Sequence, residues 1–183
     1  KSFNQFNINL EFPLIVKPIH EDASVGISNE SVVFNKLELK NRVQFILDTY
    51  HQDALVEEYV DGREINVAIL GNGESIEILP LSEIIFTSQE NNPKIVTYKA
   101  KWFPESNDYK DTVGICPAKI SPDLEEKIKN MALHAYVGAG CQDYARIDLR
   151  LKEDQPYIIE INPNPSINMD SGFFRSAKMS GMT

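Results

Sequence analysis

The stretch "DYARIDLRLKEDQPYIIEINPNPS", residues 143–166, decides the fold. Its halves "DYARIDLRL" and "PYIIEIN" each alternate apolar and polar residues as strands do, and the short connection "KEDQ" suits an antiparallel hairpin turning near Asp154. Two prolines in "NPNPS" then stop the second strand, because proline cannot donate to a ladder. Pairing about that turn sets Asp148 opposite Glu160 and Arg146 opposite Asn162. On the other face Ile147, Leu149 and Leu151 meet Tyr157, Ile159 and Ile161, an apolar surface fit for a core.

The polar face is anomalous, since like charges directly opposite in a sheet repel unless something positive lies between them. A structural ion-pair network through Arg146 is the plain explanation. The alternative is a magnesium site. Hard Mg²⁺ takes oxygen ligands, often one or two carboxylates with water and substrate phosphates. Asp148, Glu160 and the amide oxygen of Asn162 form such a set, and Arg146 stays free to meet an anion. Glu160 has two oxygens and could bridge two ions.

Outward from the hairpin, "SPDLEE" opens a helix, with Ser121 as cap, Pro122 in the first turn and acids at the positive end. Leu124, Ile128, Met131 and Ala135 give its apolar stripe, and Gly138 or Gly140 ends it. Residues 88–111 are polar and weakly periodic, which predicts a long loop. "REINVAIL", "GNG" and "ESIEILPL" predict a hairpin, "DALVEEYV" and "PLIVK" strands, and Leu39, Val43, Ile46, Leu47 and Tyr50 an amphipathic helix over 36–50. "PIHEDASVGISNES" is a surface loop.

With 183 residues the chain can form one good core or two small lobes. A 42% hydrophobic share without an apolar run near the roughly 20 residues of a membrane span predicts a soluble globular protein. The net charge of −9 argues against nucleic acid, which is bound through basic footprints. Residues 1–12 lack the apolar core of a secretory signal. Cys116 and Cys141 are spaced neither as a metal knuckle nor as a redox pair, so a cytoplasmic setting is expected.

"RIDLRL…YIIEINPNPS" resembles the metal-binding end of the ATP-grasp ligases. "FPLIVKP…EDASVGIS…LVEEYVDGREINVAIL…YKAKW" resembles the D-alanine:D-alanine ligase branch in order and spacing, from about Phe12 to Gly181. The resemblance implies an α+β ATP-grasp fold, two lobes of antiparallel sheets and packed helices enclosing a nucleotide cleft. Residues 1–57 would be part of the central lobe and 58–183 the C-terminal lobe. It implies ATP and magnesium, two ions with manganese as a substitute, small-molecule carboxylate and amine substrates, no nucleic acid or membrane partner, and a homodimer as an assembly open to it.

Residue by residue, Lys17 looks like the lysine that holds the nucleotide phosphates, and Glu21 to Gly26 like the lid over them, with Ser24 near the β-phosphate. Glu57 would accept from the adenine amino group, Glu58 and Val60 would edge the base by their backbone, and Glu64 would hold the ribose. Lys101 resembles the mobile-loop lysine that reaches the transferred phosphate. Asp148, Glu160 and Asn162 would hold magnesium, Arg146 would stabilise the oxyanion and phosphate, and Ser171 falls where the family places a serine for the second substrate's carboxylate.

Three departures bear on this. Ser166 replaces the glycine whose N–H helps form the family's oxyanion hole, Trp102 stands where the branch usually has tyrosine, and neither the first-substrate lobe nor the usual final helix is visible. The chain therefore looks like a fragment of a longer protein. A nucleotide-binding module without ligase activity, and a ligase for a peptide or an unusual amino acid, remain open beside the amino acid ligase.

Overall fold

The computed structural model describes residues 9–88 and 92–182, and the chain groups by compactness into two units. One comprises Lys1–Tyr59 with Ser88–Thr112, the other Val60–Thr87 with Val113–Thr183. The segment 88–112 thus goes with the first unit, whereas the expected lobes divide once, between residues 57 and 58. Residues 1–8 of the expected central lobe, 89–91 of the expected long loop and Thr183 lie outside the described residues.

The first unit is a three-stranded antiparallel sheet, order β2-β1-β3, built from β1 (Leu14–Pro18), β2 (Val32–Val33) and β3 (Ala54–Glu58). Helix α1 (Lys36–Tyr50) starts where the Asn35 side chain accepts from Leu37 N and Glu38 N, and stops at His51 in the left-handed region at φ 53°. Its Leu39 and Ile46 pack on Leu14, Val16 and Val33. Leu47, expected in that stripe, is 39% exposed, while Arg42 is buried. The predicted long loop contains two short helices, α2 (Tyr98–Trp102) and α3 (Asn107–Lys110). Thr97 and Ser106 cap them, accepting from Ala100 N and Tyr109 N. Each spans about one turn, too short to leave a periodic stripe.

The second unit is built on the sheet path β7-β6-β4-β8-β9, with β5 paired to β4. Its strands are β4 (Arg63–Leu70), β5 (Glu77–Ile78), β6 (Ser82–Phe86), β7 (Thr112–Ile115), β8 (Tyr144–Lys152) and β9 (Gln155–Asn162). On one face Ile65, Val67, Ile69, Ile147, Leu149 and Leu151 bury against α4 (Pro122–Gly138). That helix buries Leu124, Ile128, Ala132 and Tyr136, a strict four-residue step, while the expected Met131 and Ala135 sit at its margin. Ser121 stands at the cap position without a side-chain cap bond. Among the described residues no helix is long and apolar enough to cross a membrane.

The decisive hairpin carries a device that alternation alone did not reveal. Lys152 pairs Gln155, so the loop is the two residues Glu153 and Asp154, both left-handed at φ 48° and 61°, as a type I′ turn requires. Continued without interruption, that turn would put Ile159 opposite Asp148 and drive Glu160 into the core opposite Ile147. The register instead shifts between Asp148 and Leu149: Leu149 pairs Ile158 and Asp148 pairs Glu160, leaving Ile159 as a bulge. The expected pairs of Leu149 with Ile159 and Leu151 with Tyr157 are therefore corrected to Ile158 and Pro156.

A final helix, α5 (Gly172–Met179), has no counterpart in the sequence reading. Ser171 caps it, accepting from Phe174 N at 3.1 Å. Its Phe173 packs with Ala68 and Leu79, and Ala68 pairs Arg146, so α5 covers one end of the sheet's polar face.

Candidate functional site

The polar face gathers its charges through strand parity. Glu64 and Asn66 on β4 stand opposite Arg150 and Asp148 on β8, and Asp148 and Arg146 stand opposite Glu160 and Asn162 on β9. Asp148 is only 4% exposed and takes four hydrogen bonds. Arg146 donates from Nε to Oδ1 at 2.7 Å and from Nη2 to Oδ2 at 2.8 Å, Asn66 Nδ2 donates to Oδ1 at 2.8 Å, and Asn162 Nδ2 donates to Oδ2 at 3.0 Å. Glu160 is exposed.

The ion-pair network is thus present, and the expectation that Arg146 stays free is corrected: two residues apart on one strand face, it forks onto Asp148. Burial works against the charge of Arg146, but Asp148, with Glu160 and Glu64 beyond it, more than compensates and raises its pKa. Among the described residues no three His, Cys, Asp or Glu side chains form a metal cluster. Two carboxylates and an amide are nevertheless a hard oxygen set. Asn162, by donating its nitrogen to Asp148, turns its amide oxygen away from that carboxylate. The donor chemistry fits magnesium completed by phosphate oxygens and water.

Glu64 is 8% exposed and accepts from Arg150 Nη2 at 2.7 Å, while Arg150 Nη1 donates to the Gly62 carbonyl at 3.1 Å. Burial raises the Glu64 pKa against the opposing charge of Arg150. Sequence reasoning missed Asn66 and Arg150 as partners of the site. The signal was available, since both share the parity of residues already singled out, in "REIN" and "RIDLR". Ser166 is exposed and accepts from Asn168 N at 3.3 Å, Ser171 caps α5, and half-buried Val60 begins this unit.

In the first unit Lys17 Nζ lies 2.5 Å from Glu57 Oε2. The two form an ion pair in which the Glu57 side chain is 40% exposed. A carboxylate has about four acceptor sites, so beside Lys17 the Glu57 carboxylate keeps capacity to receive a ligand's N–H. Glu58 is exposed and accepts from Glu11 N. Ala23 and Ser24 both lie in the left-handed region, φ 51° and 61°, in a turn closed by Val25 N to the Asp22 carbonyl at 2.9 Å. Three donors clasp this loop: Arg42 Nη2 to the Gly26 carbonyl at 2.5 Å, Trp102 Nε1 to the Ala23 carbonyl at 3.0 Å, and Tyr98 N to the Ile27 carbonyl at 2.9 Å. Lys101, expected on a mobile loop, is exposed on α2.

This architecture is the fold of the ATP-grasp ligases. The D-alanine–D-alanine ligase from Bacillus anthracis complexed with ATP matches it with a TM-score of 0.70 at 22% identity, over 97% of this chain and 52% of that one. The VanG D-Ala:D-Ser ligase from Enterococcus faecalis matches with a TM-score of 0.70 at 23% identity, over 96% of this chain and 47% of that one. The family described as D-ala D-ala ligase C-terminus matches residues 1–183, and the chain belongs to it. An uncharacterized protein, y4sG, of Sinorhizobium fredii is 40% identical over 94% of this chain and 49% of its own length. A D-alanine–D-alanine ligase of Desulforamulus reducens is 32% identical over 93% of this chain and 50% of its own length. The chain spans about half the length of the curated relatives it matches.

Proposed function

We propose that this chain supplies the nucleotide-binding and metal-binding part of an ATP-dependent ligase that joins a carboxylate to an amine through an acyl phosphate, with amino acids as the substrate class. The observation that carries this is the Asp148–Glu160 pair, set across a hairpin on a polar sheet face with Arg146 and Asn162 beside it, in a chain of this family. Magnesium, held by Asp148, Glu160 and Asn162, would supply neutralisation of the phosphate charge.

The chain's own residues do the rest. Lys17 and Ser24 hold phosphate oxygens, Glu57 accepts from the adenine amino group, and the backbone at Glu58 and Val60 borders the base. Glu64 is held toward the ribose by Arg150. Lys101 offsets charge on the transferred phosphoryl group. Arg146 leaves Asp148 to stabilise the phosphate and the oxyanion, and Ser166 and Ser171 face the acceptor. Such chemistry asks mainly for position and charge compensation, and one lost donor costs about 10²–10³ in rate.

The test is ADP release by the full-length protein with ATP, magnesium and a panel of amino acids and amines. Release that depends on the acceptor and disappears in Glu160→Gln supports the reading. Nucleotide binding without acceptor-dependent release in the wild type contradicts it.

A further inference from the structure

Helix α1 buries Leu39, Arg42 and Ile46. Arg42 stands three residues after the first and four before the last, on the inward stripe, where helical spacing calls for an apolar side chain. Burying a guanidinium costs free energy unless its donors are used. Burial lowers the Arg42 pKa, and the charge of Glu30, then of Tyr50, acts against that fall.

The guanidinium reaches the loop that contains Ser24. Its Nη2 donates to the Gly26 carbonyl at 2.5 Å and to Ser31 Oγ at 2.8 Å, and its Cζ lies 4.6 Å from the centroid of the Phe45 ring. Ser31 is fully buried, and its Oγ also accepts from Ser28 N at 3.1 Å. The peptide between Gly26 and Ile27 is thereby held at both ends, its oxygen by Arg42 and its N–H by the Ser24 carbonyl at 3.0 Å. Gly26 has φ 76°, and a Cβ there would lie 2.6 Å from Pro18 Cγ and 3.2 Å from Tyr50 Cζ, so only glycine brings the loop this close to β1 and α1. Without Arg42 the Gly26 carbonyl is free to turn with its peptide, taking the bond to Ser24 with it.

We propose that Arg42 is a positioning residue for the nucleotide phosphates. Acting through the Gly26–Ile27 peptide, it fixes Ser24 and the turn around it in the shape that receives phosphate oxygens, and it does not itself touch the nucleotide. Hydrogen bonds from a charged donor are the strong ones, and this donor comes from a helix already packed on the sheet. The assignment rests on the nucleotide part of the reading above, which sets Ser24 at the phosphates.

The experiment titrates a non-hydrolysable ATP analogue with magnesium, and separately adenosine, into the full-length wild type, Arg42→Met, Arg42→Lys and Ser31→Ala. In Arg42→Met the dissociation constant for the analogue should rise roughly tenfold or more while that for adenosine is unchanged, because adenosine carries no phosphate for the loop to hold. Arg42→Lys should recover part of the loss, since an ammonium still donates to a carbonyl. Ser31→Ala keeps Arg42 but removes its second acceptor; it should show the same selective loss at smaller size, and it decides the matter if Arg42→Met fails to fold. Unchanged analogue affinity in folded variants, or an equal fall for analogue and adenosine, overturns the assignment and leaves the nucleotide reading standing. A wild type that binds the analogue no more tightly than adenosine overturns both.

Discussion

Glu160 faces Asp148 because Ile159 drops out of the ladder between them. The two-residue turn at Glu153–Asp154 sets one register and the acid pair needs another, and the bulge reconciles the two. Deleting Ile159 should therefore leave Glu160 opposite Asp148 in an unbroken ladder, with the hairpin still folded. It should also remove the local twist that aims Glu160. The expected result is cooperative unfolding with magnesium–nucleotide affinity lowered about 10–100-fold, as for lost positioning of a metal ligand. Unchanged affinity by calorimetry would show that the bulge serves register alone.

Asn66 holds Asp148 Oδ1 at 2.8 Å, and a Cβ on Gly172 would lie 2.5 Å from the Asn66 Oδ1. Asn66→Ala should cost about 1–3 kcal/mol of stability in denaturant unfolding and weaken magnesium-dependent nucleotide binding. Loss of stability with full binding would separate Asn66 from the site.

The hairpin, α1 and the strand order within the acid pair were legible because period-2 and period-3.6 patterns there run for eight residues or more. The bulge was not, since one extra residue leaves both flanking halves alternating correctly. The helices α2 and α3 hid in single turns. Helix α5 hid behind Ser171, whose resemblance to a substrate-binding serine obscured its role as an N-cap. The fork of Arg146 onto Asp148 was within reach, because residues two apart on a strand share a face.

Ser24 sits at φ 61°, where a residue with a Cβ is strained. Ser24→Gly should raise stability by up to about 1 kcal/mol while weakening nucleotide binding through the lost hydroxyl. Thermal unfolding and nucleotide titration of the same sample would then move in opposite directions. Tighter binding in the glycine variant would contradict a phosphate-contacting role.

Burial raises the pKa of Glu64 above 4.5, so the native state keeps this proton after the unfolded chain has lost it. Its contribution to stability is fully present below pH 4.5 and declines as pH rises through the folded value. Glu64→Gln removes that decline. Urea unfolding from pH 4.5 toward neutrality should give the variant a more positive slope of stability against pH than the wild type, apart from a constant offset for the lost Arg150 partner. Parallel profiles would contradict the raised pKa.

The most direct test of the central claim is calorimetric titration of a non-hydrolysable ATP analogue into the full-length protein, with and without magnesium, in the wild type and Glu160→Gln. Binding that requires magnesium in the wild type and is strongly weakened in the variant is the predicted result. Magnesium-independent binding of equal strength in both proteins would contradict the assignment of Asp148, Glu160 and Asn162 as the metal-holding set.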